Sequence, residues 1–177
     1  GKEVWKTPRP VDISWSTPVL VKAAGRTELI TNATQFVIAY DASTGKELWR
    51  TKGVESNAIH GPLVGNGLVV VTAGYPAKRT IAIRTGNQPD DKRIAWEYTK
   101  GTGYVLSNIF YGDYVYLSTD NGIVTCLDAA TGKTIWGKNL SGGLWGSPAL
   151  SFPWSRVMAV CATRRRRAGS ARWRKRR

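Results

Sequence analysis

The side chains able to do chemistry are few, and their spacing decides what they can do. His60 is the sole histidine of the 177 residues. One imidazole supports neither a histidine-based metal cluster nor a Ser-His-Asp triad. Beside Gly61-Pro62 it is expected to pack or to face solvent. Asp90-Asp91 places two carboxylates together, as acid/base catalysis needs, but Lys92 and Arg93 adjoin them in a polar stretch. Splitting two carboxylate pKa values takes burial, and this stretch reads as a solvated loop. Cys126 and Cys161 lie far apart in different contexts, so neither a disulfide framework nor a thiolate metal site is indicated. Asp113 and Asp120 occupy turn-like stretches, where Asp serves backbone hydrogen bonds. Asn32-Ala33-Thr34 and Asn139-Leu140-Ser141 fit the glycosylation pattern, a frequent chance match. No Walker, Rossmann or zincin motif is present.

The strongest pattern is a repeat. Ala39-Tyr40-Asp41-Ala42-Ser43-Thr44-Gly45-Lys46-Glu47-Leu48-Trp49 returns as Cys126-Leu127-Asp128-Ala129-Ala130-Thr131-Gly132-Lys133-Thr134-Ile135-Trp136, with Asp, Thr, Gly, Lys and Trp at equal offsets. Each copy reads as the end of one strand, a turn and the start of the next. Asp41 and Asp128 are placed to accept hydrogen bonds from the backbone N–H groups of the turn. Gly45 and Gly132 suit the left-handed conformation that closes a short bulged hairpin. Trp49 and Trp136 then lie on the returning strand, where an indole can wedge between sheets, provided its N–H finds an acceptor. Small residues open the motif, as expected beneath a bulky ring.

Trp5, Trp49, Trp96 and Trp136 are 44, 47 and 40 residues apart, and each interval holds four short strands joined by tight turns. That period predicts propeller blades over about residues 14–51, 58–98 and 104–138, with partial blades at each end. Gly1 to Trp5 reproduces the ending of the motif and is expected to be the last strand of a unit. In the middle unit Ala82 and Trp96 keep their places, while Thr85 to Arg93 carries four extra residues. Such a polar insertion suits a hairpin tip. Runs such as Leu68 to Val71 are apolar throughout, which fits strands buried on both faces. No helical periodicity is evident. The chain is thus expected to be all-β, an incomplete β-propeller of about three four-stranded antiparallel blades in residues 1–150, with apolar faces open to a partner or to further blades.

The net charge of +14 is unevenly placed: residues 151–177 hold ten of the 26 Lys and Arg and none of the 12 Asp and Glu. The body is only mildly basic, which does not argue for a polyanion partner. Arg164 to Arg167 and Arg172 to Arg177 fall where another strand and hairpin are due. Closely packed like charges repel and are expected to stay disordered. A frame-shifted stretch is favoured over a nucleic-acid-binding tail, because the change interrupts a unit. No apolar run is long enough to span a membrane as a helix.

These residues resemble the quinoprotein-type, or PQQ-like, β-propeller repeats, whose mark is Ala-x-Asp-x-x-Thr-Gly-Lys-x-x-Trp. Residues 39–49 match at every fixed position, and 126–136 differ only in Cys126. The resemblance covers about residues 1–150 and implies docking of Trp49 and Trp136 on neighbouring blades, and with less support of Trp5 and Trp96. Ala39, Asp41, Thr44, Gly45, Asp128, Thr131 and Gly132 then form the structural motif. Members include quinone-cofactor dehydrogenases and outer-membrane assembly lipoproteins, which implies a periplasmic or secreted location. The dehydrogenases close their cofactor pocket with a pair of adjacent cysteines and hold a calcium-type ion with carboxylates and amides; no adjacent cysteine pair exists here. The reading is therefore a non-catalytic interaction or binding scaffold with no evident cofactor. The alternative is part of a PQQ- and calcium-dependent alcohol or sugar dehydrogenase.

Overall fold

The computed structural model describes residues 1–139 except Asp12 and Ser56. It contains three four-stranded antiparallel sheets, each a meander in chain order. The first comprises β1 (Val19–Ala23), β2 (Arg26–Asn32), β3 (Phe36–Asp41) and β4 (Glu47–Lys52). The second comprises β5 (Leu63–Gly65), β6 (Leu68–Ala73), β7 (Arg79–Arg84) and β8 (Ile94–Tyr98), with the short helix α1 (Asp90–Arg93) before β8. The third comprises β9 (Ile109–Tyr111), β10 (Tyr114–Ser118), β11 (Ile123–Asp128) and β12 (Thr134–Asn139). The propeller-type architecture expected from the repeat is what the chain adopts. The partial blade expected after residue 138 and the basic stretch 151–177 lie, beyond Asn139, outside the described residues.

Local chemistry sets the hairpins. Asn66-Gly67 joins β5 to β6 with φ of 49° and 72°. This is the paired left-handed geometry that matches strand twist in a two-residue turn. Between the third and fourth strands of each sheet the register shifts at one equivalent place: Ala39/Tyr40, Ala82/Ile83 and Cys126/Leu127. The bulge leaves Ala39 opposite Trp49, Ala82 opposite Trp96 and Cys126 opposite Trp136. A small residue thus faces each indole across the ladder.

The sheets stack face to face. Ile30, Val37 and Ala39 of the first sheet pack with Val69, Val71, Ile81 and Ile83 of the second. The opposite face of the second, through Leu68, Val70 and Ala82, packs with Val115, Leu117 and Leu127 of the third. Every residue of β6 is buried, because its sheet has a neighbour on either side.

Three expectations change. Gly1 to Trp5 forms no strand; the described residues of 1–18 lack regular structure and are tied to the first sheet by bonds such as Ser14 Oγ to Asn32 O at 2.6 Å. The insertion contains one helical turn, where no helix was expected. Asn32, read as a possible glycosylation acceptor, is wholly buried, so its side chain is closed to a transferase.

Candidate functional site: the tryptophan seats between sheets

The turn that follows β3 organises itself. Asp41 Oδ1 accepts from the backbone N–H groups of Ser43 at 2.9 Å and Thr44 at 3.0 Å, and Gly45 N donates to Asp41 O at 2.8 Å. Hydrogen bonds from the Ser43 side chain and then its backbone hold the Asp41 carboxyl below its usual range. Asp128 repeats the arrangement, accepting from Thr131 N at 2.9 Å and Thr131 Oγ1 at 2.7 Å, with Gly132 N to Asp128 O at 2.8 Å. Thr44 Oγ1 likewise donates to Asp41 at 3.1 Å.

Each of these turns carries an indole from elsewhere. Trp96 Nε1 donates to Ala129 O at 2.8 Å, and its ring lies over Gly132, where a built Cβ would fall 2.6 Å from Cδ2. Trp5 Nε1 donates to Ala42 O at 3.0 Å, and a Cβ on Gly45 would fall 2.5 Å from Trp5 Cε3. Ala42 and Ala129 stand at the same offset from their glycines, so the two seats offer the same carbonyl acceptor over the same open glycine. Glycine is required twice over there, for space and for φ of 72° and 70°.

Trp49 faces the altered turn of the second sheet and is held differently. Its Nε1 donates to Glu28 Oε2 at 3.0 Å, and Gly86 N donates to the same oxygen at 3.3 Å. Glu28 is wholly buried and accepts from Arg26 at 3.1 Å through Oε1. Arg93 lies with Cζ 4.4 Å from the centroid of the Trp49 ring. It donates to the carbonyls of Arg84, Gly86 and Gln88 at 3.2, 3.2 and 2.7 Å. Burial pushes its guanidinium pKa down, with Asp90 and Glu28 opposing that shift. Arg84 occupies the place that Asp41 and Asp128 hold in the other sheets, and donates to Lys92 O at 2.6 Å. An anion that caps N–H groups is replaced by cations that cap carbonyls.

Register explains the choice of Glu28. It pairs with Asp41, as Leu68 pairs with Arg84 and Tyr114 with Asp128. The other two sheets are thus uncharged at this position. Where the next turn offers an alanine carbonyl, as to Trp96, leucine suffices; where it does not, Glu28 supplies the acceptor. Sequence reasoning missed Glu28, Arg84 and Arg93, and read the last as part of a solvated loop. The available signals were a carboxylate inside a strand and an arginine at the motif's Asp position.

Trp136 is buried against Tyr116, with ring centroids 6.3 Å apart. The chain after Asn139 lies outside the described residues. Asp90 is exposed at the start of α1, and its Oδ1 is 3.9 Å from Arg93 Nε. His60 is buried, with Nδ1 3.4 Å from Thr72 O. Burial lowers its pKa, opposed in turn by Thr72, Asp120 and the Val105 and Leu106 backbone. Cys126 packs with Tyr116 and Trp136 and is closed to a flat cofactor. Among the described residues no cluster of three or more His, Cys, Asp or Glu could hold a metal ion. No helix among the described residues is long and apolar enough to cross a membrane. A recess of about 810 Å³ opens on the turn side, with Lys22, Asn66, Gln88 and Asp113 on its walls.

A quinohemoprotein alcohol dehydrogenase from Comamonas testosteroni is 32% identical over 108 residues, covering 55% of this chain and 14% of that protein. The solved quinohemoprotein alcohol dehydrogenase of Pseudomonas putida superposes with a TM-score of 0.55 at 20% identity, over 82% of this chain and 23% of that one. A computationally designed protein gives 0.57 at 14% identity, over 82% of this chain and 85% of its own. These two likenesses show the fold alone, and the chain spans only a small part of either dehydrogenase. The family described as outer membrane protein assembly factor BamB matches residues 1–150. With that match over most of its length, the chain belongs to this family of PQQ-like β-propeller repeats.

Proposed function

We propose that the chain is a non-catalytic propeller platform that binds other proteins in the periplasm of a bacterium. The observation that carries this reading is the structural use made of the charged side chains at the turns and sheet junctions. Glu28, Asp41, Asp128 and Arg93 each make two or more hydrogen bonds that hold turns and sheets together. Function then falls to the surface such a scaffold presents, in line with function being grafted on a fold. Membership in a family described as an outer membrane protein assembly factor supports both the partner class and the compartment. Binding of the full chain to purified outer membrane assembly machinery, followed by interferometry, tests it. Saturable binding is expected, and none at micromolar concentrations would overturn the reading.

The identity to a quinohemoprotein alcohol dehydrogenase favours a second reading, a segment of a PQQ- and calcium-dependent enzyme. Ultraviolet-visible titration with the quinone and calcium separates the two. Stoichiometric uptake by this chain would support the enzyme.

A further inference from the structure

The end of the stack that carries the connections between sheets differs from the polar, turn-bearing end. Tyr75, in the loop between β6 and β7, is 60% exposed, and Tyr104, in the connection from β8 to β9, is 37% exposed. Their rings meet edge to face with centroids 5.6 Å apart. Val105 beside them is exposed, as are Ile13 and Trp15 on the N-terminal segment. Backbone bonds join these pieces: Trp15 N to Ala58 O at 3.3 Å, and Asn57 N to Tyr75 O at 3.1 Å. Thr102 Oγ1 donates to Ala73 O at 2.7 Å, and Tyr104 N to Asp120 Oδ2 at 2.9 Å. The aromatic rings are thus displayed on fixed backbone. Tyrosine and tryptophan supply large contact area at small entropic cost, which is why they dominate interface hot spots.

Charge selects the occupant. Lys78 shares the loop of Tyr75 and Lys100 the connection of Tyr104; both are exposed and neither takes part in an ion pair among the described residues. Among the described residues the carboxylates on this end are engaged: Glu55 and Glu97 with Arg79 at 4.0 and 2.8 Å, and Asp120 with Tyr104 N. The face therefore offers unpaired cations beside bare rings. We propose that it binds an extended acidic segment of a partner protein, one bearing apolar or aromatic side chains. This rests on the platform reading above and names the partner's chemistry. Two lysines with Asp120 and Glu55 close by suit a peptide better than a continuous phosphate backbone.

The test uses the full chain and two dye-labelled nonapeptides that alternate tryptophan with glutamate or with lysine, read by fluorescence anisotropy at low and high salt. The acidic peptide is expected to bind, more weakly at high salt, with the basic one at least tenfold weaker. Paired Tyr75→Ser and Tyr104→Ser changes should weaken acidic binding about tenfold. Paired Lys78→Glu and Lys100→Glu changes should reverse the preference between peptides. These four side chains lie at the surface, and circular dichroism verifies the fold of each variant. Equal binding of both peptides, binding untouched by the tyrosine pair, or equally tight capture of a single-stranded oligonucleotide would overturn the assignment. So would cross-linking of the acidic peptide to the turn-bearing end, although the platform reading would survive that outcome.

Discussion

At the scale of single residues, the contrast among glycines is the sharpest probe of the indole seats. Gly67 and Gly132 share a left-handed φ of 72° and 70°, yet a Cβ meets nothing within 4 Å at Gly67 and the Trp96 ring at 2.6 Å at Gly132. Gly67→Ala should cost about 1–2 kcal/mol of backbone strain. Gly132→Ala adds overpacking and should cost roughly 2–4 kcal/mol in all. Urea unfolding of both variants measures the difference; equal losses would mean that the ring moves aside freely. His60 gives a pH signature. Burial lowers its folded-state pKa, so the unfolded chain takes up the proton first, and stability falls as pH drops below about 6.5 toward the folded value. Asp120 and the carbonyls of Thr72, Val105 and Leu106 are the polar groups acting on it. A His60→Gln variant should lose that part of the slope between pH 7 and 5.

At the scale of elements, the altered hairpin of the second sheet and Glu28 form one unit. Glu28→Leu alone leaves the N–H groups of Trp49 and Gly86 without their acceptor and should cost about 2–4 kcal/mol. Replacing Arg84 to Arg93 with the Asp-Ala-Ala-Thr-Gly-Lys turn of the third sheet recreates the carbonyl seat but leaves Glu28 buried without Gly86. Combined, the two changes reproduce the pairing of Leu68 with Trp96. The double variant should be more stable than the sum of its parts by about 1–3 kcal/mol, read as a double-mutant cycle in urea. This unit also marks the limit of what the sequence reveals. The Asp-to-Gly turns were legible because their hydrogen bonds span two to four residues and demand particular side chains. The strand order followed from the tryptophan period. Glu28 and Arg93 were not legible, since 65 positions separate them and both act on one ring only once two sheets have stacked. Polarity alone placed Arg93 in solvent, whereas it lies 97% buried on Trp49, being 3% exposed. Gly1 to Trp5 carries the motif's ending, and its indole sits on the Ala42 turn although no strand forms there.

For the whole molecule, stability is expected to be graded along the stack. The second sheet has apolar neighbours on both faces, and all of β6 and most of β7 are buried. The innermost strands β5 and β9 are three residues long and only partly buried. Hydrogen exchange followed by mass spectrometry should show β6 and β7 exchanging last, with the segment before β1 and strands β5 and β9 exchanging first. Uniform protection would mean a single cooperative unit instead of coupled sheets. The seats also impose a direction in time. Trp5 waits on Ala42, 37 residues later, and Trp96 on Ala129, 33 residues later. As a ribosome feeds the polypeptide out from its amino end, the indoles of Trp5 and Trp96 each stay bare until the hairpin carrying Ala42 or Ala129 emerges. A pause in translation at that point would expose one sticky ring, and so define the moment when a chaperone is most needed.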